Sequence, residues 1–241
     1  MFADFALANC MRATLEPHQR LATVSMTIEL TGAARTGRIE ALSRFHGFVR
    51  EGKGRIGKSN VVVKNEADVI CVGTGSFMAL DPPADVKLHP VRHRKRHDPP
   101  VVLVPETDFT AEEKKVLQRA DAALEDPRPS FIERFWGFLP QRTAHGASCK
   151  APNGPHLGNR VGHAQGGVML GLAATTAACV LPPSWRLSAI SGWFLRPGQG
   201  SELHARAAIV HQGRLTALAR TQVADPEGAA VIEVMTTHAH R

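Results

Sequence analysis

Two long apolar stretches of this chain each precede a series of segments in which apolar and polar residues alternate. Residues 2–15 and 168–180 carry apolar side chains at helical spacing, and the second stretch has so few polar positions that we expect it to be enclosed. The segments that follow have the two-residue period of strands, with glycine-containing turns at 52–54 and 212–214. Each half of the chain therefore predicts one helix followed by several strands.

The order of these elements repeats along the chain. Because the order repeats, we interpret residues 1–80 and 105–241 as two copies of one unit, joined by 81–104. We expect an α+β fold in which each copy wraps a long antiparallel sheet around its central helix. The strand segments cover 21–37, 39–68 and 69–80 in the first copy, and 188–200, 202–228 and 229–239 in the second.

The two copies differ in what precedes the apolar helix. The second copy has a further helix, which begins with a capping box formed by Thr110 and Glu113 and ends near Glu125. The first copy begins only three residues before Asp4. Either this copy has lost its front segment or Met1 is an internal start, and the sequence leaves both alternatives open.

The composition indicates a folded domain of an ordinary kind. Hydrophobic residues make up 43% of the 241 positions, which is ample for a packed core. No apolar run approaches the ~20 residues of a membrane span, and the N-terminus lacks the basic lead of a secretory signal. The four cysteines lie far apart, which predicts neither a zinc site nor a disulfide framework, so we expect a cytoplasmic protein.

The net charge of +7 predicts either an anionic partner or a basic, soluble surface. Much of the excess lies in residues 86–97, where His89, His93 and His97 recur every four positions. Pro90 and the surrounding Arg and Lys side chains argue against a metal site there, and we expect a solvated linker. No nucleic-acid-binding module accompanies the basic run, so we expect no nucleic-acid partner.

A glycine pair, Gly166 and Gly167, precedes the second apolar helix. The first amides of a helix have no acceptor within the helix, and glycine lets a carbonyl group approach them closely. Such an amide can stabilise the oxyanion of a tetrahedral intermediate. The helix itself offers nothing more reactive than a threonine hydroxyl, and we take Thr175 as a candidate substrate contact. The acid or base must therefore come from elsewhere in the chain.

These residues resemble the hotdog-fold acyl-CoA thioesterases of the phenylacetyl-CoA type, in a tandem, double-hotdog form. Members carry an Asn, then His-Gly-Gly, then a helix that reads Leu-Ala-Asp-x-Ala. In the second copy Asn159 is present, Gln165 replaces the His, and Ala174 replaces the acid. In the first copy the sequence FADFA matches the helix pattern and puts Asp4 at the acid position. The resemblance covers 131–239 well and 1–80 as a truncated copy.

In that family one unit supplies the Asn and the glycine amide, and its partner supplies the carboxylate. The resemblance therefore implies one composite site that hydrolyses acyl-CoA thioesters to the free acid and CoA, without a metal or organic cofactor. Asp4 would be the base or the nucleophile, and Asn159 and Gln165 would hold the thioester or the water. Gly166 would supply the oxyanion hole, and Gly167 would contact the substrate.

The resemblance also implies that basic side chains contact the phosphate groups of the acyl-CoA. The candidates are Arg214 and Arg55, which lie at the equivalent glycine turns of the two copies. The alternative is a degenerate hotdog protein that binds an acyl-CoA or a protein partner without turnover, as Ala174 and the truncated first copy suggest. The sequence leaves open the acyl group, the role of Asp4 as base or nucleophile, and any homo-oligomer of double units.

Overall fold

The computed structural model describes residues 1–32, 37–49, 55–66, 68–84, 86, 88, 103–127 and 130–240. Most of the basic run at 86–97 and the turn at 52–54 lie outside the described residues. The linker assigned to 81–104 and the unit boundaries beside it therefore stay predictions.

The first half of the chain contains one helix and four strands. These are α1 (Phe2–Arg12), β1 (Arg20–Leu30), β2 (Ile39–Phe48), β3 (Arg55–Asn65) and β4 (Val69–Leu80). The second half contains three helices and six strands, together with 3-10 turns at Glu106–Asp108 and Pro155–Leu157. They are α2 (Ala111–Glu125), α3 (Phe131–Trp136), β5 (Gln141–Thr143), β6 (Gly146–Pro152), α4 (Gly166–Val180), β7 (Trp185–Phe194), β8 (Glu202–Gln212), β9 (Thr216–Ala224) and β10 (Ala230–His240).

All ten of these strands form one antiparallel sheet in the order β2-β3-β4-β1-β7-β10-β9-β8-β6-β5. Outwards from the central β1–β7 pair, the first half has the order β1-β4-β3-β2 and the second has β7-β10-β9-β8. The two halves therefore have the same strand connectivity about the centre. Within the described residues, β5 and β6 have no counterpart in the first half.

The central pair joins equivalent positions of the two halves. Thr27 of β1 lies opposite Ser191 of β7, and their hydroxyl groups are 3.0 Å apart, a hydrogen-bonding distance. β1 has a bulge at Val24, where its register with β4 shifts by one residue. β7 has a bulge at Ser188, where its register with β10 shifts by one residue. Each bulge lies three residues before the Thr27–Ser191 pair. An approximate two-fold axis therefore passes through this pair.

Both α1 and α4 pack against the sheet. α1 buries Ala3, Asp4, Leu7 and Met11, whose spacing defines a single helix face. α4 buries residues around most of its circumference, which confirms the prediction that it is enclosed. α1 also contacts α4, so the two helices meet above the central strands. None of the described helices has the combination of length and apolarity that crossing a membrane requires.

The capping box predicted at the start of α2 is confirmed. The Glu113 N–H donates to Thr110 Oγ1 at 3.2 Å, and the Thr110 N–H donates to Glu113 Oε2 at 2.8 Å. α2 packs against α3 and against the turn Pro155–Leu157, from which the chain enters the glycine-rich loop. The front segment of the second half thus supports the loop that leads into α4.

Candidate active site

Asp4 is buried where α1 meets the start of α4, with only 4% of its surface exposed. The sequence neighbours of Asp4, which are Phe2, Ala3, Phe5 and Ala6, predict a poorly solvated carboxylate. The burial is confirmed, but the aromatic part of the explanation is wrong: Phe2 and Phe5 are 52% and 53% exposed. Ala3 is buried beside Asp4, and the Gly167 backbone lies against the carboxylate. Packing between the halves, rather than the phenyl rings, removes Asp4 from water.

The two oxygens of the Asp4 carboxylate have different surroundings. Oδ2 accepts a hydrogen bond from the Gly167 N–H at 3.1 Å and a second, short one from Gln165 Nε2. Oδ1 is buried and has no hydrogen-bond partner among the described residues. One oxygen is therefore fixed by residues of the other half, and the second is left for a substrate or a water molecule.

Gln165 connects the carboxylate to the end of α4. Its Oε1 accepts a hydrogen bond from the Val168 N–H at 2.9 Å, so the side chain caps the helix. Because Oε1 faces this donor, Nε2 is directed at Asp4. The cap thus fixes the orientation of the amide group and, through it, the position of the Asp4 carboxylate.

The pKa of Asp4 is raised above its ordinary value because burial disfavours the charged form. The Met1 amino group and the donors from Gly167 and Gln165 oppose this shift, but they do not cancel it. A carboxylate with a raised pKa and one unpartnered oxygen has the properties of a general base.

The two glycines at the start of α4 differ in how their amides are used. The Gly167 N–H is engaged by Asp4, whereas the Gly166 N–H has no acceptor within the described part of the chain. A methyl group at Gly166 would lie 3.0 Å from Thr23 Oγ1, and one at Gly167 would lie 2.7 Å from Met1 Cα. Gly166 is therefore the available donor for an oxyanion, and both positions have little room for a side chain.

Asn159 organises the loop that leads to these glycines. Its Oδ1 accepts hydrogen bonds from the N–H groups of Val161 at 3.0 Å and His163 at 3.2 Å. Its own N–H donates to the His163 carbonyl at 2.7 Å. The Oδ1 atom is thus committed to the loop, and the side-chain NH₂ is the group that remains for a ligand.

Asp4 lies in the wall between two cavities of different character. One has a volume of about 480 Å³ and is apolar, and the other, of about 410 Å³, contains the polar site residues. The apolar cavity is lined by residues of both halves, among them Met26, Ile28, Val63, Leu170, Ala174 and Ile190. The polar cavity is lined by Asn159, Gln165, Gly166, Arg12, Arg20 and Arg160, among others.

Three residues predicted to contact the substrate lie away from this arrangement. Thr175 is eight residues beyond Gly167, which is about 12 Å along α4. Arg214 is exposed in the β8–β9 turn, next to Leu215, whose carbonyl accepts from the His240 N–H. Arg55 begins β3, and its guanidinium lies 4.3 Å above the Phe48 ring. The structure brings none of the three together with Asp4.

Sequence reasoning missed the arginines of the polar cavity. Arg12 follows Asp4 on α1, Arg20 begins β1, and Arg160 directly follows Asn159. The only sequence signal was that Arg12 and Arg160 share an element or loop with a predicted site residue. Thr23, which also lines this cavity, had no signal of this kind.

Residues 156–239 match the family model of the acyl-CoA thioesterase N-terminal domain. The matched segment contains Asn159, Gln165 and Gly166, whereas Asp4 lies outside it. No curated protein sequence matches the chain.

Several solved structures are similar to this one. A Bacillus halodurans protein crystallised with CoA is 23% identical, with a TM-score of 0.50, over 56% of this chain and 97% of its own. An acyl-CoA thioesterase II from Mycobacterium marinum is 15% identical, with a TM-score of 0.52, over 95% of this chain and 83% of its own. A hot dog fold protein of unknown function from Alicyclobacillus acidocaldarius is 13% identical, with a TM-score of 0.52, over 99% and 86%.

At these identities the similarity establishes the fold. The chain has a hotdog fold, built from a few helices and a long antiparallel sheet, and the predicted fold class is confirmed. Matches that extend over 95% and 99% of the chain are consistent with a double-hotdog arrangement.

Proposed function

We propose that this protein hydrolyses acyl-CoA thioesters at the junction of its two halves. The observation that carries the proposal is the Asp4 carboxylate, buried against the start of α4 with Oδ2 held by Gly167 and Gln165 and Oδ1 unpartnered. The match of residues 156–239 to an acyl-CoA thioesterase domain supports the substrate class. The apolar cavity on one side of Asp4 suits an uncharged acyl group.

In the proposed reaction Asp4 acts as a general base. Its Oδ1 accepts a proton from a water molecule as the water oxygen bonds to the thioester carbon. The raised pKa makes the carboxylate a stronger base than an exposed aspartate would be. The hydrogen bonds to Oδ2 keep the other oxygen aimed at the water throughout the step.

The carbonyl oxygen becomes an oxyanion in the tetrahedral intermediate, and the Gly166 N–H donates to it. One such donor contributes on the order of 3–4 kcal/mol to known hydrolases. When the intermediate collapses, the carbon–sulfur bond breaks and its electron pair stays on sulfur. The proton held by Asp4 passes to the sulfur, so the products are the free acid and CoA. The Asn159 NH₂ group contacts the substrate at the mouth of this site.

The first test measures thiol release from a panel of acyl-CoAs by the wild-type protein and Asp4→Asn. Loss of a general base lowers kcat/KM by roughly 10²–10⁴-fold, whereas binding of CoA should persist. Asp121→Asn is the matched control, because Asp121 is an exposed aspartate on α2. Full thiol release by Asp4→Asn would refute the assignment. CoA binding by a wild-type protein that releases no thiol would favour the non-catalytic alternative.

A second experiment separates the base from a nucleophile. Direct attack by Asp4 would form a mixed anhydride with the acyl group, which hydroxylamine converts to a hydroxamate. We expect no hydroxamate beyond the amount that the Asp4→Asn protein produces. Trapping that depends on Asp4 would instead show covalent catalysis at the same residue.

A further inference from the structure

The polar cavity beside Asp4 carries an excess of positive charge. Arg12, Arg20 and Arg160 line it, and Asp4 is the only acid among its described lining residues. Arg12 lies eight residues after Asp4, which places it about 12 Å along α1 from the carboxylate. Arg12 thus lies towards one end of a cavity whose other end is the candidate active site, and Arg160 is near enough to Arg12 to affect its pKa.

Two of these arginines are close enough to affect each other. Burial lowers the pKa of Arg12, and the positive charge of Arg160 lowers it further. A bound anion between the two guanidinium groups would relieve this repulsion and would receive charge-assisted hydrogen bonds. The arrangement therefore favours an anionic ligand.

The positive surface continues beyond this cavity. A neighbouring cavity of about 270 Å³ shares Arg20, Asn159 and Gly166 with it and adds Arg196 and His163. Burial lowers the pKa of His163, and the charge of Arg20 lowers it further. No acid is among the described residues that line this second cavity. Basic groups therefore lead outwards from the site.

We propose that Arg12, Arg20 and Arg160 bind the phosphate groups of the coenzyme A portion of the substrate. The ligand identity rests on the proposed function. A coenzyme A thioester has phosphates at one end, an acyl group at the other and the thioester beside the acyl group. The arginine cavity, Asp4 and the apolar cavity follow one another in the same order.

The kinetic test compares two thioesters of the same acyl group, one of CoA and one of N-acetylcysteamine, which has no phosphate. Arg12→Gln and Arg160→Gln should each raise KM for the acyl-CoA by about tenfold or more. The kinetic constants for the N-acetylcysteamine thioester should stay unchanged. Arg186→Gln, at an exposed position of β7, is the control for loss of one positive charge.

Direct binding of CoA, pantetheine and inorganic phosphate by calorimetry tests the same site without turnover. We expect the wild-type protein to bind CoA at least about tenfold more tightly than pantetheine, and Arg12→Gln and Arg160→Gln to lose this difference. Tight binding of inorganic phosphate alone would show a free-phosphate site and would overturn the assignment. Arg160 is exposed, so its variant should fold, and Arg12→Lys keeps a charge at the partly buried position.

The outcomes separate this proposal from the proposed function. CoA binding that depends on Arg12 and Arg160, without hydrolysis, supports the phosphate site and refutes the hydrolase. If the arginine variants lose activity equally toward both thioesters, the arginines affect Asp4 and not the phosphate groups. That result overturns the proposed phosphate site. The proposed phosphate site is also overturned if Arg55→Gln or Arg214→Gln raises KM for the acyl-CoA more than Arg12→Gln and Arg160→Gln do. It is likewise overturned if the wild-type protein does not bind CoA.

Discussion

Two effects act on the pKa of the Asp4 carboxylate in opposite directions. Burial between the halves raises its pKa, and the Gly167 and Gln165 donors act against that shift. The same donors leave Oδ1 unpartnered in a buried place, which is costly for stability. A residue that the fold alone selected would not have this arrangement, so Asp4 is a functional-site candidate on physical grounds.

The pH dependence of kcat/KM should follow the protonation of the Asp4 carboxylate. As the pH falls through the raised pKa, Asp4 takes up a proton and ceases to be a base. We therefore expect an acidic limb above the ordinary value of 3.8. Gln165→Ala removes a donor that lowers this pKa, so the limb should move to higher pH. A pH–rate profile that moves to lower pH in this variant would contradict the proposed hydrogen bond.

Asp4→Asn should increase stability at neutral pH. The folded-state pKa of Asp4 is raised, so the folded protein binds this proton more tightly than the unfolded chain does. The contribution of Asp4 is therefore present below the unfolded pKa and is lost as the pH rises through the folded pKa. The Tm of Asp4→Asn should exceed that of the wild-type protein at pH 7 and approach it in acid. A lower Tm at pH 7 would show that the carboxylate is stabilised where it lies.

Elements of both halves meet at the start of α4. Gln165 caps the helix with an amide, which leaves its NH₂ group free to bind Asp4. An Asp cap would satisfy the helix but has no donor for the carboxylate. The two glycines then bring the α4 backbone against α1 on one side and against Thr23 on the other. The Gln165 side chain that caps the helix therefore also positions the Asp4 carboxylate.

The two glycines should respond differently to alanine. A methyl group at Gly167 would meet the Met1 backbone at 2.7 Å, so α1 and Asp4 would have to move. We expect Gly167→Ala to lose about 1–3 kcal/mol of stability together with most of the activity. At Gly166 the methyl group would meet two side chains rather than backbone, the Thr23 hydroxyl at 3.0 Å and the Phe194 ring edge at 3.2 Å, so a small side-chain shift suffices and stability should change less. Thermal unfolding and thiol release distinguish the two, and equal losses would argue against this account.

The sheet is continuous from one half of the molecule to the other through the Thr27–Ser191 pair. Because that pair lies on the approximate two-fold axis, the apolar cavity above the central strands receives residues from both halves. Ala174, which stands at the acid position of the second copy, lines this cavity. An alanine rather than an acid at this position leaves room in the cavity for the acyl group of the proposed reaction.

If the apolar cavity holds the acyl group of the proposed reaction, Ala174→Leu should shift the substrate preference to shorter acyl groups. The larger side chain would fill part of the cavity of about 480 Å³, and Ala174 itself makes no hydrogen bond to Asp4. We expect the ratio of kcat/KM for long over short acyl-CoAs to fall by about tenfold or more. Thr175→Val, at the next position of the same helix, is the control. An unchanged ratio would mean that the acyl group lies elsewhere.

Local sequence patterns predicted most of the elements, but not α3, β5 or β6, and two separated parts of the candidate site. The apolar composition of α4, the capping box of α2 and the alternating strands are local patterns, and each is confirmed in the structure. Asp4 and Gln165 were predicted to lie together only through the resemblance to a family in which two units share one site. No local pattern connects positions 161 residues apart.

Which side chains share a cavity with Asp4 depends on the tertiary structure. Arg12, Arg20 and Arg160 come from a helix end, a strand start and a loop, and the pairing of β1 with β7 brings them into one cavity. The different roles of the Gly166 and Gly167 amides likewise depend on how α1 packs against α4. Secondary structure follows from interactions between near neighbours, which a sequence pattern records. The convergence of side chains depends on strand register and helix packing, which residue spacing does not encode.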